Sequence, residues 1–241
     1  MEWVGMNVEH PKLQDQRVRR AVQLAIDVPQ VLEAAYFGVT NEAVGLIAPG
    51  ILGARDAKIY GKRDVETARQ LVKDAGAEGR VLHIAIINST DFVTAAQVMQ
   101  SNLAEVGLKL EIDVYESGTW WSLGIEADGD QWKDLELFLA RWYVAPEPAD
   151  HTMWYVPEQV GIWNWERWSN EEFGRLHQQA VTMMDPAERQ PIYERMQDLM
   201  EESGAYLFLT NGVFPVVHRT DIAPAILPGT KTMLLNEFRR A

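Results

Sequence analysis

Apolar residues recur with a helical period through the first part of the chain. Asp15 stands before a stripe of Val18, Ala21, Val22, Leu24, Ala25 and Ile26, and reads as the N-cap of an amphipathic helix. Asp27 and Pro29 predict the cap and first turn of a second, short helix that ends near Gly38. From Thr40 to Lys62 glycine and proline recur without period, as in AVGLIAPGILG, which predicts a long ordered loop or a covering flap. Asp64 then opens the helix VETARQLVKDAG, closed by Gly76.

Strand patterns follow. VLHIAIIN (81–88) is short and continuously apolar, the signature of a strand covered on both faces, with His83 read as a satisfied core residue. FVTAAQVMQSNLAEVG (92–107) has helical spacing and a glycine stop, whereas LKLEIDVY (108–115) alternates and so buries one face. LELFLARW (135–142) and AYLFLTN (205–211) are the remaining strand candidates. Between them Asn170 and Asp185 cap two long helices, the second with Pro186 at its first position and Pro191 early enough for a kink to be tolerated. Strands alternating with helices predict an α/β fold, a mixed β-sheet flanked by helices. After residue 211 the pattern carries three prolines and no period, as expected of a tail that needs another surface to lie on.

With 241 residues, 47% of them apolar, the chain has enough material for one substantial core or two small ones. A formal charge of -13 repels nucleic acid and anionic lipid, so no nucleic-acid partner is expected. The absence of cysteine excludes disulfides, thiolate catalysis and zinc-thiolate sites. MEWVGMNVEHPKL lacks the basic and apolar regions of a signal peptide, and no run of about 18 apolar residues follows, so the chain reads as soluble. His10, His83, His151, His177 and His218 show no metal-ligand spacing, and no P-loop, GxSxG or GxGxxG occurs, so neither metal nor cofactor is expected. Asp150 beside His151 suggests a dyad by adjacency alone. Arg17, Arg19 and Arg20 leave their helix in different directions and cannot converge on one ligand, so they read as solvated or structurally paired side chains.

The tryptophans change the picture. Nine are present, and Trp120, Trp121, Trp142, Trp154, Trp163, Trp165 and Trp168 cluster in sequence. In ARWYVAPEPADHTMWYVPEQVGIWNWERW (140–168) aromatic residues mix with prolines and a few charges at no regular period, a composition suited to a shaped, half-exposed wall. Indole faces supply rigid contact area and stack on sugars, rings or cations. Arg141 and Glu147 are the charged groups best placed to orient a polar solute, with Trp142, Tyr143, Trp163 and Trp165 as the wall. A satellite hydrophobic cluster beneath a long loop fits the same residues. So do a carbohydrate-active enzyme with Glu147 and Asp150 as paired carboxylates, and a protein-interaction module docking through its tryptophans.

Several stretches together resemble the extracellular solute-binding proteins of ABC importers, in the subgroup serving dipeptides, oligopeptides and nickel. The opening pattern is Pro11, Asp15, Val18-Arg19-Arg20-Ala21 and Ala25-Ile26-Asp27. Tyr36-Phe37-Gly38 and Gly45-Leu46-Ile47-Ala48-Pro49-Gly50 follow, then Asp64, Ala68, Leu71 and Ala75-Gly76, and Leu103, Gly107-Leu108 and Leu110. Trp168-Ser169-Asn170, Glu172-Phe173 and Asp185-Pro186-Ala187-Glu188-Arg189 are similar to the family's later helices.

The resemblance implies a non-enzymatic binding module: the second lobe of a type II periplasmic-binding-protein-like fold, with residues 1–210 as the solute-binding lobe and 211–241 as an extension that returns to an absent first lobe. It implies a small-molecule solute, importer permease subunits and the N-terminal lobe as partners, and a periplasmic or extracellular place beside the membrane. An exposed half-cleft would also offer a surface for a homodimer. Arg19 becomes scaffold on this reading. The family's ligand segment, Trp-x-Ala-Asp-Tyr-x-(Asp/Glu)-Pro, is matched at Trp142, Glu147 and Pro148, but the aspartate that holds a peptide ammonium is missing. A buried ammonium without that charge is costly. A sugar or an opine therefore stands beside a peptide as the expected solute.

Overall fold

The computed structural model describes residues 1–60, 62–142, 145–213, 216–227 and 232–241. The chain begins with strand β1 (Glu2–Met6), followed by helices α1 (Gln16–Ala25), α2 (Val28–Tyr36) and α3 (Val65–Asp74). Then come β2 (Val81–Ile87), α4 (Thr90–Glu105), β3 (Lys109–Tyr115), the single turn α5 (Ser117–Trp120) and β4 (Leu137–Arg141). The single turn α6 (Ala149–Thr152), α7 (Glu171–Thr182), α8 (Pro186–Ser203) and β5 (Tyr206–Thr210) complete the main body. β6 (Ile222–Ala223) and β7 (Arg239–Arg240) pair only with each other.

The predicted caps form. Asp15 accepts from the Arg17 amide, Asp27 from Gln30, Asp64 from Thr67, Asn170 from Phe173 and Asp185 from Ala187, each satisfying an N–H that its helix leaves orphaned. The stretch from Val39 to Lys62 contains no helix and no strand among its described residues, as its composition predicts. It is tied to α8: Arg55 bonds Asp198 at 2.8 Å, Glu201 at 2.7 Å and the Val44 carbonyl at 2.5 Å, and Glu201 also accepts from the amides of Ile59 and Tyr60.

The five strands lie in the order β3-β2-β4-β1-β5. β2 runs parallel to β3 and β4, whereas β1 is antiparallel to both β4 and β5. The sheet is mixed, as expected, and helices pack on it. It separates two cores. Val4, Met6, Leu137, Leu139, Leu207 and Leu209 face the one shared with α1 to α4; Trp3, Phe138, Ala140, Tyr206 and Phe208 face the other, shared with α7, α8 and the tryptophans. Alternation along each strand divides the residues in this way.

Two expectations change. Glu2–Met6, for which the pattern predicts nothing, is a fully buried internal strand. His83 is not a core residue: its side chain is 36% exposed and its ring lies 3.0 Å from Asp113 and 3.6 Å from Glu111 on β3. Because β3 is the sheet's edge, the apolar run of β2 hides a position facing water. The arginines behave as scaffold. Arg17 pairs with Asp15, Arg20 lies 3.3 Å from the Tyr60 ring centre, and buried Arg19 donates to the carbonyls of Leu13, Gln14 and Ser203 rather than to a ligand. No helix among the described residues is long and apolar enough to cross a membrane.

Gly5 sits where β1 meets the second core. A Cβ there would lie 2.2 Å from Phe138 Cζ and 2.5 Å from Glu166 Oε1. Gly5→Ala should therefore destabilise the fold by overpacking, by about 1–3 kcal/mol. The check is a lower urea midpoint at unchanged slope.

Candidate functional site

The parallel strands β2, β3 and β4 end along one edge of the sheet, and β1, being antiparallel, begins there. Crevices outside the carboxyl ends of strands are where α/β sheets bind ligands. Trp120 and Trp121 come from the turn that follows β3, Trp142 directly follows β4, and Trp3 lies at the start of β1. Trp154, Tyr155, Trp163 and Trp165 arrive from the irregular segment after α6. These eight residues, with Phe138 and Ala140 of β4, line one depression. Its residual cavity is about 30 Å³, room for roughly one water.

The rings hold each other in place. Trp142 lies 5.5 Å from Trp121, 5.6 Å from Trp154 and 5.4 Å from Trp163 between ring centres, and Trp154 lies 5.9 Å from Trp163. Deeper, Trp165 lies 4.9 Å from Trp120 and 5.5 Å from Phe138. Most pairs are edge-to-face or tilted, the arrangement that the ring quadrupole favours, worth about 0.5–1.5 kcal/mol per pair beyond burial. Four indole N–H groups are anchored: Trp3 to Glu166 at 2.7 Å, Trp120 to the Ala85 carbonyl at 3.2 Å, Trp154 to the Asp150 carbonyl at 2.8 Å and Trp165 to the Ile162 carbonyl at 3.1 Å. Those of Trp121, Trp142 and Trp163 have no partner among the described residues, although none is a buried orphan. They are donors that water or a solute can use.

The run expected to form a half-exposed wall divides in two. Trp163 is 36% exposed, and Trp142 and Trp154 are half-buried. Tyr155, Trp165 and Trp168 are core residues, between 4% and 8% exposed, so Trp165 reaches the depression only from below. Its floor is closed further by Gly124, whose missing Cβ would lie 2.1 Å from the Trp165 ring. Tyr143 lies outside the described residues.

The two charged candidates are engaged elsewhere. Arg141 donates to Glu2 Oε1 at 2.7 Å and to Asp91, and its guanidinium lies 4.7 Å from the Phe92 ring centre. Burial works against the charge of Arg141, but the bonds to Asp91 and Glu2 outweigh it and hold the pKa above the usual arginine range. Glu2 also accepts from the Tyr36 hydroxyl, whose pKa rises through burial and then through that carboxylate. Glu147 pairs with Arg189, which in turn donates to Tyr193 at 3.0 Å. Among the described residues no charged side chain lines the depression. No Asp150–His151 dyad forms either: the His151 ring bonds the Ala145 backbone at 2.7 Å, and burial lowers its pKa.

Sequence reasoning missed Trp3 and Glu166. Glu166 is wholly buried, one oxygen accepts from Trp3, and burial raises its pKa to about 8. A tryptophan at the second position of a five-residue strand carries no local mark of a site, and the glutamate reads as one surface charge among many. Among the described residues no group of three or more potential ligands could hold a metal. A larger concavity of about 300 Å³ lies beside β5, but its Lys58, Arg63 and Glu201 are paired with Glu42, Glu105 and Arg55.

Residues 1–162 match the family described as bacterial extracellular solute-binding proteins, family 5 Middle. The glutathione-binding protein GsiB of Escherichia coli (strain K12) is 26% identical over 215 residues, which are 85% of this chain and 41% of that protein. Clavulanic acid biosynthesis oligopeptide binding protein 2 superposes with a TM-score of 0.89 at 21% identity, over 100% of this chain and 46% of its own. The dipeptide binding protein of Pseudoalteromonas sp. SM9913, solved in complex with Met-Leu, gives 0.81 at 21% identity over 100% and 48%. The chain thus spans less than half the length of each of these proteins, whose fold it shares.

If Arg141 is a strut for Glu2 rather than a ligand contact, Arg141→Met should destabilise the chain by about 1–3 kcal/mol, at the low end because the arginine is 44% exposed. Chemical denaturation of the two proteins gives the difference.

Proposed function

Because this chain belongs to the bacterial extracellular solute-binding proteins of family 5, we propose that it is the second, solute-contacting lobe of a binding protein that delivers a small polar solute to an ABC importer. The observation that supports this reading is the indole-lined depression at the carboxyl edge of the sheet. On this reading residues 1–210 are the lobe and 211–241 the extension toward the first lobe. Trp142 and Trp163, with Trp121 and Trp154, make the contact. Trp165 supports them, and Tyr143, a candidate from the sequence, lies outside the described residues. Arg141 and Glu147 shape the edge through their ion pairs.

The lining determines what part of a solute fits. With no charge in the depression, a bare ammonium or carboxylate placed there would lose its hydration without a partner. Apolar or planar parts can lie against its indole wall instead: a peptide side chain, a sugar face or the carbon skeleton of an opine. The three uncommitted indole N–H groups can give hydrogen bonds to hydroxyl or carbonyl oxygens. Closing a first lobe over this wall would desolvate the solute and produce the shape that permease subunits recognise. The work is binding and release, and no covalent step is required of any residue here.

The test is a thermal-shift panel of dipeptides, sugars and opines against the two-lobed protein and its Trp142→Ala variant. A true solute raises the melting temperature by mass action. We expect one class to do so and the variant to lose most of the shift. A panel with no stabilising class, or a variant that keeps the full shift, would refute the assignment. Chromogenic glycosides incubated with the same protein should release no product.

A further inference from the structure

Glu166 is the buried titratable group for which solute contact gives no role. It follows Trp165 in the irregular segment and is 0% exposed. Its Oε1 accepts from Trp3 Nε1 at 2.7 Å and packs against the bare Gly5 of β1, while its Oε2 is buried with no hydrogen-bond partner. Trp3 and Tyr155, whose ring centres lie 6.1 Å apart, belong both to the shell of this carboxyl and to the lining of the indole depression. The carboxyl therefore sits directly behind the wall, joined to it by one hydrogen bond.

Burial disfavours an anion here more than the two donors that favour it, the Trp3 indole and the backbone N–H of Glu166 itself, can offset. The titratable groups facing Glu166 are the phenols of Tyr155 and Tyr206, both raised in pKa by burial and then by the carboxyl itself, so neither supplies positive charge. From β1 it meets the Trp3 indole N–H and the bare Gly5. The adjacent Arg167 is turned away, paired with Glu9 and Glu126 and lying 3.8 Å from the Trp132 ring centre. A carboxylate here would keep the Trp3 bond but leave its second oxygen as an unpaired buried charge. Relief requires water to enter or the carboxyl to move outward, and either displaces Trp3.

We propose that Glu166 is a positioning residue for the solute-contacting wall: while neutral, its buried carboxyl holds the Trp3 indole in place, and on ionising the carboxylate moves toward water with Trp3 still bonded to it, shifting Trp3 and Tyr155 together. The consequence for solute rests on the function proposed above; the motion of the wall does not. Glu166 binds its proton in the folded chain over a pH range in which an unfolded glutamate, near 4.5, has lost it. Stability from this group is therefore full below about pH 4.5, falls as pH rises, and reaches its floor once pH passes about 8.

The experiment is tryptophan emission of this chain, with no solute present, from pH 6 to 9.5. The wild type should show a reversible red shift with a midpoint near pH 8, and Glu166→Gln, which keeps an acceptor for Trp3 without a titrating group, should show none over the same range. An identical transition in Glu166→Gln, or no transition in the wild type, overturns the proposal. Should Glu166→Gln not fold, the urea midpoint of the wild type decides: a fall between pH 5 and 8 supports the proposal, and a flat profile overturns it. Because no solute is used, failure here leaves the assigned function standing, and failure of the solute panel leaves this inference standing.

Discussion

Strand β1 is the constraint on which the rest depends. Five consecutive residues are buried, and the strand is hydrogen-bonded on both sides, to Leu137–Arg141 and to Tyr206–Thr210. Its backbone donors and acceptors have no water to fall back on, so the ladders on both flanks must form together. That requirement joins the parallel part of the sheet to the strand that closes it. It also sends Trp3 and Gly5 to one core and Val4 and Met6 to the other. The indole depression exists because β1 starts beside the ends of β2, β3 and β4.

Once the strands are placed, the site is assembled by rings and not by charges. Trp142 meets three other indoles within 5.6 Å, and each anchored ring is tied to a backbone carbonyl or to Glu166. On the proposed function, rigid aromatic contact would lose little entropy when a solute arrives, because the rings are already ordered. The nearby charges are neutralised in pairs, Arg141 by Glu2 and Asp91 and Arg189 by Glu147. An acidic chain thus presents an uncharged face, among its described residues, at this edge of its sheet.

The helices were legible in the sequence because their causes are local. An aspartate or asparagine side chain reaches an amide two or three residues away, and a stripe at 3.6-residue spacing has its period wherever the helix packs. Strands β2, β4 and β5 were legible from short apolar runs and β3 from alternation, and the family resemblance rested on short-range patterns of the same kind in order. The tryptophan cluster was visible as composition. Which of its members are core was not: Trp163 and Trp165 flank the same Asn164, yet one is exposed and the other sits under Gly124.

The amino-acid sequence alone therefore determined the helices, their caps, the α/β class and the family. Tertiary structure alone decided that EWVGM is an internal strand, that His83 faces water, that Arg141 and Glu147 are spent in ion pairs, and that Trp3 and Glu166 stand behind the wall. The reason is range. A cap or a period is written in residues a few positions apart, whereas burial and pairing depend on partners more than a hundred residues away, such as Trp3 with Glu166 and Glu2 with Arg141.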